Sequence, residues 1–395
     1  MLDVLHKLLN VYGQSYFIVI KGLPPCLFPQ AHERIVYARQ KGKIYRRIPS
    51  CGQCRLKRQC PGWSHDLNLP QEDIQSIADI PSEIVLEITG RCNLSCGHCT
   101  SAIQTVRQVP LRTIKTILNQ AHRCRVPAVR FTGGEPLLHP DLAEILSYAK
   151  ARGFYVLLNT NATLLTPSFL RLFSRSVDNV LVSLQGFDSA SDQALTHSAV
   201  SFERKLQNIF LLQSYVPTMR LGTVITPLLL EHWPRYAALM KRIKPSAWEL
   251  FRPMSGSARQ EPPLTRKDYR ELSLRVLSLK KEGINVKLAN ALPFCVLSNL
   301  RLSAALMLGA LSDDGNSRLV WDVRGFFKPS YFIDKNLGKS VMPAWRHLFL
   351  KKLKSSAYLP KRCQECEYWS WCRGGSRAIA LQGNHSFFAA DPLFD

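Results

Sequence analysis

Between Ile84 and Arg252, short β-rich runs alternate with longer segments of helical periodicity, and this alternation limits the fold more tightly than any other feature of the chain. The runs are Ile84–Thr89, Ala128–Thr132, Tyr155–Asn159, Asn179–Leu184, Arg220–Ile225 and Trp248–Arg252. Between them, apolar residues recur at helical spacing, as Leu142, Ile145, Leu146 and Ala149 do. Six β/α units in succession predict a parallel sheet with right-handed crossovers. Pattern alone allows two forms, an open partial (β/α)6 TIM-like barrel or a doubly wound sheet. In either, ligands gather beyond the C-terminal ends of the strands. The chemistry-bearing residues cluster there. A cysteine loop follows the first run, Gly133-Gly134-Glu135 the second and Asn159-Thr160-Asn161 the third, while Ser183 and Gln185 end the fourth and Arg252 the sixth.

The loop after the first run reads Glu87-Ile-Thr-Gly-Arg-Cys-Asn-Leu-Ser-Cys-Gly-His-Cys-Thr100 and places Cys92, Cys96 and Cys99 at the spacing C-x3-C-x2-C. Three thiolates on one loop suit three irons of a cubane and leave the fourth iron open to a small molecule. Four would close the site, as a structural zinc does. A share in a zinc site is the alternative on spacing alone.

This loop resembles the signature of the radical S-adenosylmethionine (radical SAM) superfamily, and Thr132-Gly-Gly-Glu-Pro136 strengthens the likeness. The resemblance selects the partial barrel. It implies that Cys92, Cys96 and Cys99 hold a [4Fe-4S] cluster whose open iron chelates S-adenosylmethionine, with reductive cleavage to a 5′-deoxyadenosyl radical that abstracts a hydrogen. It also implies cofactor contacts from Gly133, Gly134 and Glu135 to the methionine amino group, from His98 to the adenine, and from Asn161 and Ser183 to the ribose or methionyl part. Arg252, a planar donor, is a candidate for the carboxylate.

The flanks carry a repeat. Cys26, after Leu-Pro-Pro, precedes Cys51, Cys54 and Cys60 at C-x2-C-x5-C. Cys295, after Leu-Pro-Phe, precedes Cys363, Cys366 and Cys372 at the same spacing. Such internal repetition predicts that each set of four works together as one closed cluster, with zinc the alternative. Cys124 is left over and reads as a small apolar core residue. The C-terminal copy, followed by Gly-Gly, resembles the SPASM and twitch auxiliary domains of radical SAM enzymes. Two SPASM cysteine places are Ser330 and Ser376 here, which favours a single-cluster, twitch-like domain with Cys295 as fourth ligand. The expected layout is a Cys-rich segment over 1–65, a linker over 66–83, the core over 84–290 and the auxiliary domain over 291–395. One or two auxiliary [4Fe-4S] clusters follow. Tyr368, Trp369 and Trp371 fill the small core around the triplet or shield it from water.

Twelve cysteines in a chain of 395 residues, 46% of them apolar, point away from a disulfide scaffold, because so large a core needs no staples. No apolar run reaches the length of a membrane span, and no signal pattern opens the chain, so a cytoplasmic protein is expected. The net charge of +23 concentrates partly between Ala31 and Cys60, where Glu33 is the one acid. That zone would suit nucleic acid, but no reader motif accompanies it, and bound clusters with their thiolates offset part of the charge. The function expected is radical modification of a peptide or protein, fed by a low-potential donor such as flavodoxin or ferredoxin. Small-molecule cofactor synthesis of the molybdopterin or pyrroloquinoline-quinone kind, and iron–sulfur electron transfer without radical chemistry, are the alternatives.

Overall fold

In a computed structural model of the chain, the described residues are 79–99, 106–197, 200, 202–254, 264–290, 292–309, 315–355 and 357–394, with scattered positions between 20 and 64. Two compact units divide at Ile80 and Pro81. The first contains two short ladders, Ile20–Lys21 parallel with Ile35–Val36 and Tyr45–Arg46 antiparallel with Trp63–Ser64. Most of the expected linker lies outside the described residues.

The second unit is built on one open sheet. Its strands are β1 (Glu83–Thr89), β2 (Ala128–Gly133), β3 (Tyr155–Thr160), β4 (Asn179–Ser183), β5 (Thr218–Val224), β6 (Ala247–Phe251), β7 (Val286–Ala289), β8 (Arg318–Asp322) and β9 (Phe326–Lys328). The spatial order is β7-β6-β5-β4-β3-β2-β1-β8-β9, parallel throughout except for the β8–β9 pair. Six consecutive β/α units therefore form the partial barrel, and three further strands widen it. β8 and β9 come from the stretch expected to be purely auxiliary. They join the β1 edge because Arg318-Leu-Val-Trp-Asp322 offers apolar residues on both faces, and Leu319, Val320 and Trp321 are buried.

The helices cover the outer face for ordinary reasons. α1 (Leu111–Arg123) buries Ile114, Ile117, Leu118 and Ala121, a stripe at i, i+3, i+4 and i+7. α2 (Leu142–Ala151) buries Leu142, Ile145, Leu146 and Ala149. α3 (Pro167–Ser176) starts at Thr166, whose side chain accepts from Phe169 N, with Pro167 in the first turn. α4 (Ser189–Thr196) opens with a capping box between Asp188 and Ser191. α5 (Phe202–Tyr215), α6 (Trp233–Ile243) and α7 (Arg266–Lys281) complete the layer. Among the described residues no helix is long and apolar enough to cross a membrane.

Inside the barrel the strands alternate, and several inward positions are charged. Arg130 on β2 grips Glu83 on β1 with two bonds, Nε to Oε1 at 2.8 Å and Nη2 to Oε2 at 3.0 Å, and donates to Asn159 on β3 at 3.0 Å. Arg220 on β5 donates to Asn179 on β4 at 2.8 Å and pairs with Glu249 on β6 at 2.5 Å. Burial alone would raise the Glu83 carboxyl. The charge and bonds of Arg130, with Arg318 and Arg220 behind, outweigh burial and hold it at about 2. These ties link neighbouring strands below the mouth and give the site a rigid floor.

Candidate active site

The cysteine loop is held by backbone on two sides. The turn after β2 donates twice, Gly134 N to Thr89 O at 2.7 Å and Glu135 N to Arg91 O at 2.8 Å. Contact is so close that a Cβ on Gly133 would lie 2.2 Å from Thr89 O and one on Gly134 2.1 Å from Arg91 O. Gly133 also has φ +139, which disfavours a side chain independently. The glycines thus make room for the cysteine loop itself. From the other side the last carbonyls of α4 accept from the loop, Ser95 N to Thr196 O at 3.2 Å and Gly97 N to Leu195 O at 3.3 Å.

A side-chain bracket completes the hold. Asn161 Nδ2 donates to Asn93 Oδ1 at 2.9 Å, and Asn93 Nδ2 donates to Thr163 Oγ1 at 2.8 Å. Asn161, expected at a ligand, also reaches the cysteine loop. Asn93, inside the cysteine motif, went unread because its partners come from another strand.

Cys92, Cys96 and Cys99 are half-buried and line one cavity of about 370 Å³ at the mouth of the barrel. Burial raises the Cys92 thiol and pushes Cys96 up to about 12, with the neighbouring Cys99 and Cys92 adding to the rise at Cys96. Sulfurs whose ionisation burial and their neighbours disfavour, as at Cys92 and Cys96, are poised for a cation, which would remove their protons. Among the described residues no group of three His, Cys, Asp or Glu side chains is gathered tightly enough for a single metal ion. Three half-buried thiols on one loop, facing a cavity of ligand size, fit a cluster with an open iron.

The other expected contacts divide. Gly133, Gly134, Glu135, His98, Asn161, Ser183 and Arg252 all line the same cavity. Ser183 is exposed within it. His98 is half-buried, and burial drives its pKa down to about 4, so the ring is neutral near pH 7 and offers a flat face. Glu135 is fully engaged. Its Oε1 accepts from Leu137 N at 3.1 Å and Thr160 Oγ1 at 2.7 Å, and its Oε2 from Asn161 N at 2.7 Å. Burial still raises it to about 7 against those bonds. Arg252 departs furthest from expectation. Its guanidinium is buried in a two-pronged pair with Asp391, at 2.7 and 3.0 Å, which ties the mouth of the barrel to the C-terminal stretch.

Residues 86–240 match the Radical SAM superfamily. The chain carries a radical SAM domain. It is 25% identical to AdoMet-dependent heme synthase of Methanosarcina barkeri over 78% of this chain and 95% of that protein. It is 37% identical to PqqA peptide cyclase of Streptomyces rochei over 30% of this chain and 34% of that one. In fold it is similar to Streptococcus suis SuiB bound to precursor peptide SuiA, with TM-score 0.65 and 18% identity over 85% of each chain. A radical SAM domain implies a [4Fe-4S] cluster and S-adenosylmethionine as cofactors.

The C-terminal cysteines are gathered as well. Cys295 sits in a turn at Phe294–Val296, and Phe294 N donates to Cys372 Sγ at 3.3 Å. Burial raises Cys363, and the charges of Cys295 and Cys366 add to it. Cys372 is pushed to about 12 by burial, with Cys295 again contributing. Four cysteines 77 positions apart at the extremes therefore share one neighbourhood. Trp371 is wholly buried and Tyr368 nearly so, with ring centroids 5.9 Å apart and Phe294 6.0 Å beyond. Ser330 and Ser376 are both buried in backbone bonding: Ser330 Oγ accepts from Phe332 N, and Ser376 Oγ from Ile379 N. In the N-terminal unit Cys26 is buried and Cys51, Cys54 and Cys60 are half-buried. Cys124 is half-buried rather than in the core, because it ends α1.

Proposed function

We propose that this radical SAM enzyme abstracts a hydrogen atom from a peptide or protein substrate presented at the mouth of the barrel. The observation that carries the reading is the three-cysteine loop facing a cavity walled by polar strand ends. In this reading Cys92, Cys96 and Cys99 hold three irons and leave the fourth for the cofactor. When bound, the cluster and S-adenosylmethionine supply the reductive cleavage that generates the abstracting radical. Gly133, Gly134 and Glu135 fix the loop against the cofactor, His98 lends a neutral ring to the adenine, and Asn161 and Ser183 border its polar part. Arg252 shapes the wall, since its donors are committed to Asp391. Cys295, Cys363, Cys366 and Cys372 would close around one auxiliary [4Fe-4S] cluster, and Cys26, Cys51, Cys54 and Cys60 around another. A low-potential donor of the flavodoxin or ferredoxin kind, in the cytoplasm, completes the reading.

The peptide part is supported by two similar proteins, one named a peptide cyclase and one solved with a precursor peptide. A second reading, small-molecule cofactor synthesis, is favoured by relatives that span most of the chain, heme synthases by name. Arginines stand near the C-terminal cysteines, but Arg266 is bonded to Cys295 O and Val296 O, and Arg362 stacks 3.9 Å over Phe394. The test is anaerobic reconstitution with iron and sulfide, followed by S-adenosylmethionine and a strong reductant. The wild-type chain forms 5′-deoxyadenosine and the triple variant Cys92→Ala, Cys96→Ala, Cys99→Ala does not; an inactive wild-type chain with an intact cluster overturns the proposal. Stimulation by cell extract that disappears when the extract is predigested with protease supports a polypeptide substrate, and stimulation that survives digestion supports the small molecule.

A further inference from the structure

Behind the cysteine loop lies an ion pair that none of the roles above uses. Lys205 on α5 and Asp192 on α4 meet at 2.5 Å, with side chains 1% and 3% exposed. Two charges removed from water so completely need a strong reason to persist, because apolar residues of like volume serve packing as well. Asp192 is fixed from both ends: its Oδ1 accepts from Gly186 N at 3.2 Å, and its carbonyl accepts from Thr196 Oγ1 at 2.7 Å. A Cβ on Gly186 would come within 2.1 Å of Asp192 N, so that strand end is packed directly on α4. Lys205 is braced one turn later by Asn208, whose side chain donates to Ala162 O at 2.7 Å.

The pair is also oriented. α4 carries Asp192 and then, one turn on, the two carbonyls that accept from Ser95 and Gly97, the residues flanking Cys96. Lys205 lines the cavity together with Cys96 and His98, and Asp192 does not. The ammonium end therefore borders the cavity that the cysteines line, while the carboxylate end lies behind it, its charge still felt at His98.

We infer that Lys205 is a positioning cation for the cluster loop, held by Asp192, and that it makes the cluster bound there easier to reduce. The inference rests on the reading that Cys92, Cys96 and Cys99 hold an iron–sulfur cluster. Reduction adds one negative charge to the cluster, and a fixed cation in a water-poor setting favours the more negative state. The carboxylate partner, which does not line the cavity, offsets only part of this.

The test is a redox titration of the reconstituted full-length chain, followed by electron paramagnetic resonance with S-adenosylmethionine absent. Auxiliary clusters are distinguished by their persistence in the triple cysteine variant. Lys205→Met lowers the ratio of reduced to oxidised cluster at a fixed potential by about tenfold, which is about 59 mV for one electron. Asp192→Asn moves the ratio the other way by a smaller factor. The double variant, which leaves no lone charge buried, falls between Lys205→Met and wild type. A purely structural pair would shift both single variants in the same direction or neither, and either result overturns the inference. Should the single variants fail to fold, a double variant titrating at or above the wild-type potential overturns it. A wild-type chain whose titration shows no signal lost on removing the three loop cysteines overturns the underlying cluster reading instead.

Discussion

The cysteine loop after β1 and the cysteine group near the C-terminus start from the same local turn and end in opposite surroundings. In the loop Cys99 N donates to Cys96 O at 3.1 Å; in the C-terminal group Cys366 N donates to Cys363 O at 3.3 Å. Cys54 and Cys51 repeat the turn at 3.2 Å. C-x2-C thus dictates one backbone shape wherever it occurs. Beyond that shape the regions diverge. The loop is pinned by backbone bonds from two neighbouring turns and faces a cavity floored by paired charges. The C-terminal group is packed among Phe294, Tyr368 and Trp371, and Cys372 is buried. Spacing sets the turn, and the surroundings decide whether a site stays open to a small molecule or closes on itself.

The sharpest way to break this comparison is to remove one cysteine from each region. Cys92→Ala should abolish 5′-deoxyadenosine formation. Cys295→Ala should retain it while lowering bound iron by about four atoms per chain. Iron analysis and product chromatography on the same preparations check both. In the triple variant of the loop, about eight iron atoms should remain if both outer groups hold cubanes. Equal loss of product in Cys92→Ala and Cys295→Ala would show that the two regions are one functional site.

Two glycines sharpen the contrast next. A Cβ at Gly134 would meet Arg91 O at 2.1 Å, and one at Gly309, where φ is +66, would meet Trp371 O at 2.6 Å. Either clash is with backbone, which cannot swing aside, so each alanine should cost about 1–3 kcal/mol or more in thermal or denaturant unfolding. Their chemical effects should part. Gly134→Ala displaces the loop and should reduce 5′-deoxyadenosine formation severely, whereas Gly309→Ala should leave uncoupled cleavage near wild type and loosen iron at the C-terminal group.

The parts legible in the sequence were those set by local spacing. Strand positions, the cysteine turns and the placement of Gly133, Gly134 and Glu135 at a strand end all follow from neighbours in the chain. Parts that depend on what the sheet brings together were not legible. Arg252 looked like a free donor because its partner Asp391 is 139 residues away. Strands β8 and β9 were hidden in a stretch whose cysteines suggested a separate unit. One signal was present and went unread: β1, β2, β5 and β6 each carry a charged residue, Glu83, Arg130, Arg220 and Glu249, within or at the edge of an apolar run. Charges in strands that are covered on one face by helices must point at one another across a barrel interior.

Glu83 allows that interior to be tested by pH. Its pKa is near 2 in the folded chain against an ordinary 4.5, so the folded state prefers the carboxylate. The resulting stability is present above about pH 4.5 and is lost as pH falls toward 2, amounting to about 3 kcal/mol at most. Glu83→Gln should flatten that part of the stability profile. At pH 7 it should also cost about 3 kcal/mol, because Arg130 is left buried with a weaker partner. Unfolding by denaturant at several pH values measures both, and the C-terminal cysteine group, which Glu83 does not hold, should release iron at an unchanged pH.

The smallest expected effect belongs to Ser376, which stands between the two regions. Its Oγ accepts from Ile379 N at 3.3 Å and starts the helix Arg377–Asn384, while its N donates to Asp391, the residue that also holds Arg252 at the barrel mouth. Ser376→Ala removes the cap and leaves the backbone bond to Asp391, so it should cost about 1 kcal/mol with no change in 5′-deoxyadenosine formation. Ser376→Cys adds a thiol four residues after Cys372, at a place where SPASM domains carry a ligand. If the C-terminal group is already complete with Cys295, Cys363, Cys366 and Cys372, bound iron should stay constant in both variants. A rise in iron with Ser376→Cys would mean that the group lacks a fourth protein ligand and that Cys295 does not serve as one.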